Sequence, residues 1–344
     1  MPSNDEVMNV LRTVMDPELG QDIVSLNMVR GIHIDSSEVT VDVMLTTPAC
    51  PLKHQIQTEI EYALLTNLQF KKVNVNFLDK NAGQSQAPGK VPLSVKNLIA
   101  IGSGKGGVGK STVAVNLAVT LAQKGFSVGL LDADIYGPNV PTMLGIVRTP
   151  ETKNGMIIPA EAYEVKVISV GMFIEPGRPL VWRGPMLHSA VNQLLADVEW
   201  GILDYLLVDL PPGTGDVQIS LVQIASVDGA VIVTLPQRVS TDDANRGIAM
   251  FRSLNVPVTG IVENMGSMVL PDGSKYDLFG EGGGKTLAEL TGVPFLGSIP
   301  VDRDIRTGGD TGLPMTITNP GSPSSIAFQE IAMRMHAQLH VEQN

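Results

Sequence analysis

The sequence predicts a doubly wound α/β unit with a mainly parallel sheet over residues 97–344, preceded by a small α+β unit over residues 1–80 and a connector over residues 81–96. Three observations carry this reading. Beyond Asn97, apolar β-branched runs alternate with helical windows, the rhythm of strands covered on both faces. Before Leu78, short strands and two helical windows follow in a different order. Between them, LDKNAGQSQAPGKVPLSVKN mixes Gly, Pro, Gln, Ser and Lys with few large apolar residues, the composition of a connector.

Each element has its own signal. NDEVMNVLRTVM places Val7, Val10, Leu11 and Val14 on one side of a helix. MVRGIHI and EVTVDVMLTT alternate as strands, HQIQTEIEYALLTN is helical, and KVNVNF is a strand, so the small unit has the order αββαβ. In the larger unit the strands are NLIAIGS, VGLLDAD, VKVISV, YLLVDL, GAVIVTL, VTGIVENM and FLGSIP, most of them separated by helices. The final helix, SSIAFQEIAMRMHAQLH, has an apolar stripe and a single fixed positive charge, Arg334, which favours core packing over membrane attachment.

Composition excludes several classes. With 43% hydrophobic and 17% charged residues the chain can bury a sizeable core. The net charge is -11, with 8 basic and 11 acidic residues up to Lys96 and 16 and 24 beyond it, so neither part offers the clustered cations that nucleic acid requires. No stretch approaches the roughly 18 consecutive apolar residues of a membrane span. Cys50 is the one cysteine of 344 residues, which excludes an internal disulfide and points to the cytoplasm.

Chemistry concentrates after the first strand of the larger unit. GSGKGGVGKST satisfies G-x-x-x-x-G-K-S/T from Gly104 to Ser111, between a strand and a helix. Residues Gly104, Lys105, Gly106, Gly107, Val108, Gly109, Lys110, Ser111 and Thr112 form the expected ATP cradle. Its glycines let successive N–H groups turn inward, and the helix N-terminus and Lys110 add positive charge toward the β- and γ-phosphates. Ser111 offers a hydroxyl to Mg2+. Strand ends supply carboxylates: Asp209 to hold Mg2+ through water, Asp132 to support the metal, and Asp134 to orient the attacking water. A single Asp after a strand is commonly a helix cap, and the three together beside a phosphate loop favour catalysis. GEGGGKT at 280–286 lacks a preceding apolar strand and the required glycine spacing, so it reads as a helix-opening loop.

Lys105 makes the loop resemble the deviant Walker A group of ATPases, which includes the MinD and ParA types and the nitrogenase iron protein. The resemblance implies a homodimer in which Lys105 reaches the partner's nucleotide and is catalytic with Lys110 and Asp134. The alternative for Lys105 is a solvated surface lysine. DADIYGPNVPTMLG, VWRGPMLHSAVNQLL, DYLLVDLPPGTGDVQISL, TLPQRVSTDDANRGIAMF, GIVENM and IPVDRDIRTGGDTGLP together resemble the Mrp/ApbC family over essentially all of residues 97–338. That family binds and hands on iron–sulfur clusters. The resemblance implies that Asn264, Pro300, Val301 and Asp302 hold the adenine and that apo iron–sulfur proteins or assembly factors are partners. DPELGQDIVSLNMVRGI followed by TTPACP resembles the small PaaD-like domain fused ahead of some Mrp proteins.

One departure stands against these agreements. Members of the resembled family usually carry C-x-x-C shortly after E-N-M, whereas this chain reads ENMGSMVLPDGSKYDLFGEGGG, about one residue shorter than the common form, so that no two residues are fixed as the replacements, although Leu270 and Gly273 have the right spacing. Neither side chain ligates iron. Cluster ligation then falls to Cys50, which Pro51 at the first position of the following helix places near an N-cap, where the dipole favours thiolate. The alternative for Cys50 is a small buried apolar residue. The expected function is an ATP-binding and ATP-hydrolysing homodimer for iron–sulfur cluster assembly or transfer. The alternative is a nucleotide-dependent scaffold or positioning switch that binds no cluster, and a ligase or kinase ranks below both.

Overall fold

A computed structural model describes residues 2, 4–15, 21–26, 28–35, 38–44, 53–68, 70, 72–78, 90–173, 184–270 and 272–341. Two compact units divide the chain, Met1–Ala87 and Pro88–Asn344. The smaller contains α1 (Asn4–Leu11), β1 (Val29–Asp35), β2 (Glu38–Met44), α2 (Lys53–Leu68) and β3 (Lys72–Leu78), the expected αββαβ order. Its sheet runs β1-β2-β3, with β1 antiparallel and β3 parallel to β2. Alternation in β2 sends Val39, Val41 and Val43 into a core with Val7 and Leu11 of α1 and Ile60 and Leu64 of α2. The parallel β2–β3 pair requires a crossover, which α2 supplies.

The larger unit follows in the order β4 (Val95–Ser103), α3 (Lys110–Gln123), β5 (Val128–Asp132), α4 (Val140–Met143), β6 (Thr152–Lys153), β7 (Met156–Ile157), β8 (Ala160–Ala162), β9 (Val165–Ser169), α5 (Gly184–Ala196), β10 (Leu203–Asp209), α6 (Asp216–Ile224), β11 (Gly229–Thr234), α7 (Arg238–Ser253), β12 (Val258–Gly266), β13 (Met268–Val269), β14 (Lys275–Tyr276), α8 (Gly283–Thr291), β15 (Phe295–Pro300), α9 (Arg303–Thr311), α10 (Met315–Thr318) and α11 (Pro323–Val341). The main sheet has eight strands in the order β15-β12-β11-β4-β10-β5-β9-β8, all parallel except β8 at the edge. Successive residues of β4 enter opposite cores. Leu98 and Ala100 join the helices α5 to α8 on one face, while Ile99 and Ile101 join α3 and α11 on the other. Covering both faces is what makes each strand a continuous apolar run.

One expectation is refined here. Of the connector 81–96, residues 90–96 belong to the larger unit: the Val91 N–H donates to the Ile224 carbonyl at 2.8 Å, Val91 and Leu93 pack on its core, and β4 already begins at Val95. Helix α11 buries Phe328, Ile331, Met335 and Leu339 against the sheet, as expected of a core helix. Among the described residues, no helix is long and apolar enough to cross a membrane.

Candidate functional site: a phosphate loop beside buried carboxylates

The loop between β4 and α3 is held open by glycine. Gly107 and Gly109 have φ of 81° and 80°, left-handed values that L side chains resist and that turn neighbouring N–H groups toward one concavity. At Gly104 a Cβ would lie 2.1 Å from the backbone carbonyl carbon of Asp243, so α7 approaches too closely for any side chain. The rim is fastened from three directions. Ser103 Oγ donates to the Lys105 carbonyl at 3.0 Å, the Gly213 N–H donates to the Ser103 carbonyl at 2.8 Å, and Asn264 Nδ2 donates to the Val108 carbonyl at 2.8 Å. These bonds fix the loop before any ligand arrives.

Strand register brings the carboxylates to the same edge. In β10, Asp209 pairs with Asp132 of β5 and Ile101 of β4, placing both acids level with the loop at the carboxyl ends of the strands. Lys110, 6% exposed, donates to Asp209 Oδ1 at 2.7 Å and lies 3.7 Å from Asp134 Oδ2 and 3.3 Å from Ser111 Oγ. Burial pushes the Asp209 carboxyl up from its usual range, with Lys110 opposing the shift. Burial, and then the nearby Asp209, push Asp132 up to about 8.

Asp132, expected to support the metal, sits in a hydrogen-bonded pocket of its own. Both its oxygens are engaged, Oδ1 by the Asp134 N–H at 3.1 Å and Oδ2 by Ser169 Oγ at 2.9 Å and the Val140 N–H at 3.3 Å. It anchors the segment that carries Asp134. Asp209 is different: its Oδ2 is buried without a hydrogen-bond partner. Such an atom costs about 1–3 kcal/mol, and an oxygen-seeking cation or its water would relieve that. Asp209 and Ser111 therefore form a donor set that fits Mg2+.

The remaining predicted residues divide. Asn264 at the end of β12 and Pro300 at the end of β15 lie on adjacent strands, with Gly266 in register with Pro300, so both reach the edge that holds the loop. The Val301 N–H donates to the Gly266 carbonyl at 3.2 Å, and Asp302 caps α9 through the Asp304 N–H while accepting from Ser324 Oγ at 2.7 Å. Lys105 is partly exposed and forms no ion pair among the described residues. Cys50 lies outside the described residues. A cavity of about 510 Å³ opens beside Asp134, lined by Tyr136, Leu187, Pro211, Pro212 and Val217.

The stretch after Gly266 is a small hairpin, β13 against β14. Leu270 exchanges backbone bonds with Gly273 and Ser274 across the turn, and Gly273 has φ of 82°. Sequence reasoning missed Glu263, which is 1% exposed and accepts from the Gly284 N–H at 2.7 Å, Ser298 Oγ at 2.9 Å and the Gly282 N–H at 3.4 Å. GEGGGKT opens α8 as expected, and the place where a phosphate loop would hold its anion is taken by this internal carboxylate. The glycines there serve packing: a Cβ on Gly283 would lie 1.8 Å from the Pro236 carbonyl oxygen. The only sequence signal for Glu263 was an acid in an otherwise apolar strand.

Comparison with known proteins agrees with this geometry. Residues 94–336 match the family described as NUBPL iron-transfer P-loop NTPase, and residues 4–77 match that described as iron-sulfur cluster assembly protein. The iron-sulfur cluster carrier protein of Synechocystis sp. is 48% identical over 343 residues, covering 97% of each chain. That of Deinococcus radiodurans is also 48% identical, covering 98% of this chain and 96% of its own. The chloroplastic Fe-S cluster assembly factor HCF101 of Arabidopsis thaliana is 41% identical, over 96% of this chain and 63% of its own. Among solved structures, the nucleotide-binding protein of Archaeoglobus fulgidus in complex with ADP has a TM-score of 0.59 at 35% identity, covering 68% of this chain and 91% of its own. The Pyrococcus furiosus cell division ATPase MinD, at 23% identity, 70% and 99% coverage and a TM-score of 0.53, shares the fold. With both the loop geometry and a match over most of its length, the chain belongs to the family of NUBPL iron-transfer P-loop NTPases.

Proposed function

We propose that this protein binds and hydrolyses ATP as a homodimer in the cytoplasm and carries iron–sulfur clusters to apo client proteins or assembly factors. The observation that carries the nucleotide half is the meeting of Lys110 with Asp209 and Asp134 beneath a preformed phosphate loop. The Lys110 ammonium is paired with these two acids. A triphosphate offers it competing oxygens, and the loop N–H groups supply the rest of the anion's hydrogen bonds. Mg2+, held by Ser111 and Asp209, would neutralise charge on the transferring phosphoryl group. Asp134 orients the attacking water, Asp132 fixes the Asp134 segment, and Asn264, Pro300, Val301 and Asp302 surround the adenine.

The cluster is the cargo. Because the stretch after Asn264 holds no cysteine where the family resemblance implies a pair, Cys50 supplies the only thiol of each chain. Two copies provide two, and a client or a small thiol completes the set. Lys105 reaches the nucleotide of the second copy, so ATP occupancy governs dimer closure. Lys105→Ala tests this: hydrolysis is expected to fall by at least about 100-fold while nucleotide binding by the monomer stays measurable. Loss of binding together with hydrolysis would place Lys105 in its own site and overturn the reading of the dimer.

A further inference from the structure

Four consecutive residues at the end of β12 together touch the phosphate loop, the opening of α8 and the end of β15. Glu263 holds the opening of α8 and Ser298 of β15. Asn264 holds the Val108 carbonyl inside the phosphate loop at 2.8 Å. The Met265 side chain lies against Gly109, 3.6 Å from where a Cβ would stand. Gly266 accepts from Val301. Hairpin β13–β14 begins directly beyond, at Met268. Met265 has φ of 55°, and the register with β15 shifts between Glu263 and Gly266. A non-glycine residue held in this conformation costs on the order of 1–3 kcal/mol and persists only where its surroundings over-determine it.

The packing is arranged around Glu263 in particular. A Cβ on Gly266 would lie 2.4 Å from Ser298 Oγ, and one on Gly284 would lie 2.9 Å from Glu263 Cβ, so both glycines make room for the carboxylate and its partners. A buried carboxylate is costly unless its oxygens are satisfied, and here three donors from two elements satisfy it. We propose that Glu263 is a positioning residue that couples nucleotide occupancy of the phosphate loop to hairpin β13–β14. Nucleotide bound on the preformed loop steadies Val108 and Gly109 and, through them, Asn264 and Met265. Glu263, pinned to α8 and β15, holds this segment from its other side, so that the added order passes forward into the hairpin. This coupling rests on the reading of the loop as an ATP site.

The test is amide hydrogen exchange on the full chain with and without Mg-ATP. In the wild type, ATP is expected to slow exchange across residues 267–277 by about fivefold or more. Glu263→Gln retains an acceptor but loses one charged oxygen. It is expected to bind ATP within about threefold of wild type while the hairpin response shrinks below about twofold. Ser298→Ala, which removes a single donor, gives an intermediate response and carries the test if Glu263→Gln does not fold. A folded variant of either kind with the full wild-type response overturns the proposal. A wild type that binds ATP with no change in the hairpin also overturns it and leaves the ATPase reading standing, whereas a wild type that binds no ATP overturns the ATPase reading itself.

Discussion

Asp209→Asn separates the two tasks of one buried carboxylate. In the wild type Oδ1 accepts from Lys110 at 2.7 Å and Oδ2 has no partner. Removing one member of a buried ion pair outright costs about 3–5 kcal/mol. Asparagine keeps an acceptor for Lys110, and Lys110 keeps Asp134 Oδ2 at 3.7 Å. The neutral side chain also relieves the repulsion between Asp209 and Asp132, which stand in register and are both desolvated. The amide nitrogen inherits the unpartnered position, so that penalty stays nearly unchanged. These effects leave a net destabilisation of about 0–2 kcal/mol, read by denaturant unfolding of the nucleotide-free protein. On the proposed reading, hydrolysis loses the carboxylate that would hold Mg2+ and falls by about 100-fold or more at saturating Mg-ATP. Hydrolysis within about threefold of wild type would refute the assignment. A destabilisation above about 4 kcal/mol would instead show that Asp134 does not compensate Lys110.

Further expectations follow from single positions. Gly109→Ala forces a methyl group into a left-handed conformation and to 2.2 Å from Asn264 Nδ2, so stability falls by about 1–3 kcal/mol and ATP affinity by more than about tenfold. Adding Asn264→Ala relieves the collision alone and restores part of the stability, which calorimetry of the double variant checks. His336, whose Nδ1 lies 2.5 Å from the Tyr205 hydroxyl, is held below its ordinary 6.5 by desolvation and then by His340. The folded protein favours its neutral form, so this contribution is full above pH 6.5 and is lost as pH falls through the lowered value. His336→Gln therefore flattens the drop in melting temperature between about pH 7 and about pH 5.

Legibility followed the range of the interactions involved. Runs such as YLLVDL and GAVIVTL announced buried parallel strands, because burial on both faces removes alternation. The phosphate loop was legible because its glycines, lysine and serine are contiguous. The edge strand β8 and hairpins β6–β7 and β13–β14 were not, since pieces of two or three residues carry no period. Partnerships of long sequence separation were equally hidden. Nothing local ties Asn264 to Val108, Glu263 to Ser298 or Tyr205 to His336, which are joined only by the winding of the sheet. Asp132 was read as a support for the metal by its position after a strand. Its role as an anchor depends on Ser169, one strand away.

Anaerobic reconstitution with iron and sulfide, followed by transfer to an apo-acceptor, tests the central claim that this P-loop NTPase carries clusters on Cys50. The wild type is expected to take up a cluster and pass it on, and Cys50→Ser to do neither while its ATP hydrolysis continues. If wild type and variant both bind no iron and both hydrolyse ATP, the carrier account is wrong and the protein is a nucleotide-dependent scaffold.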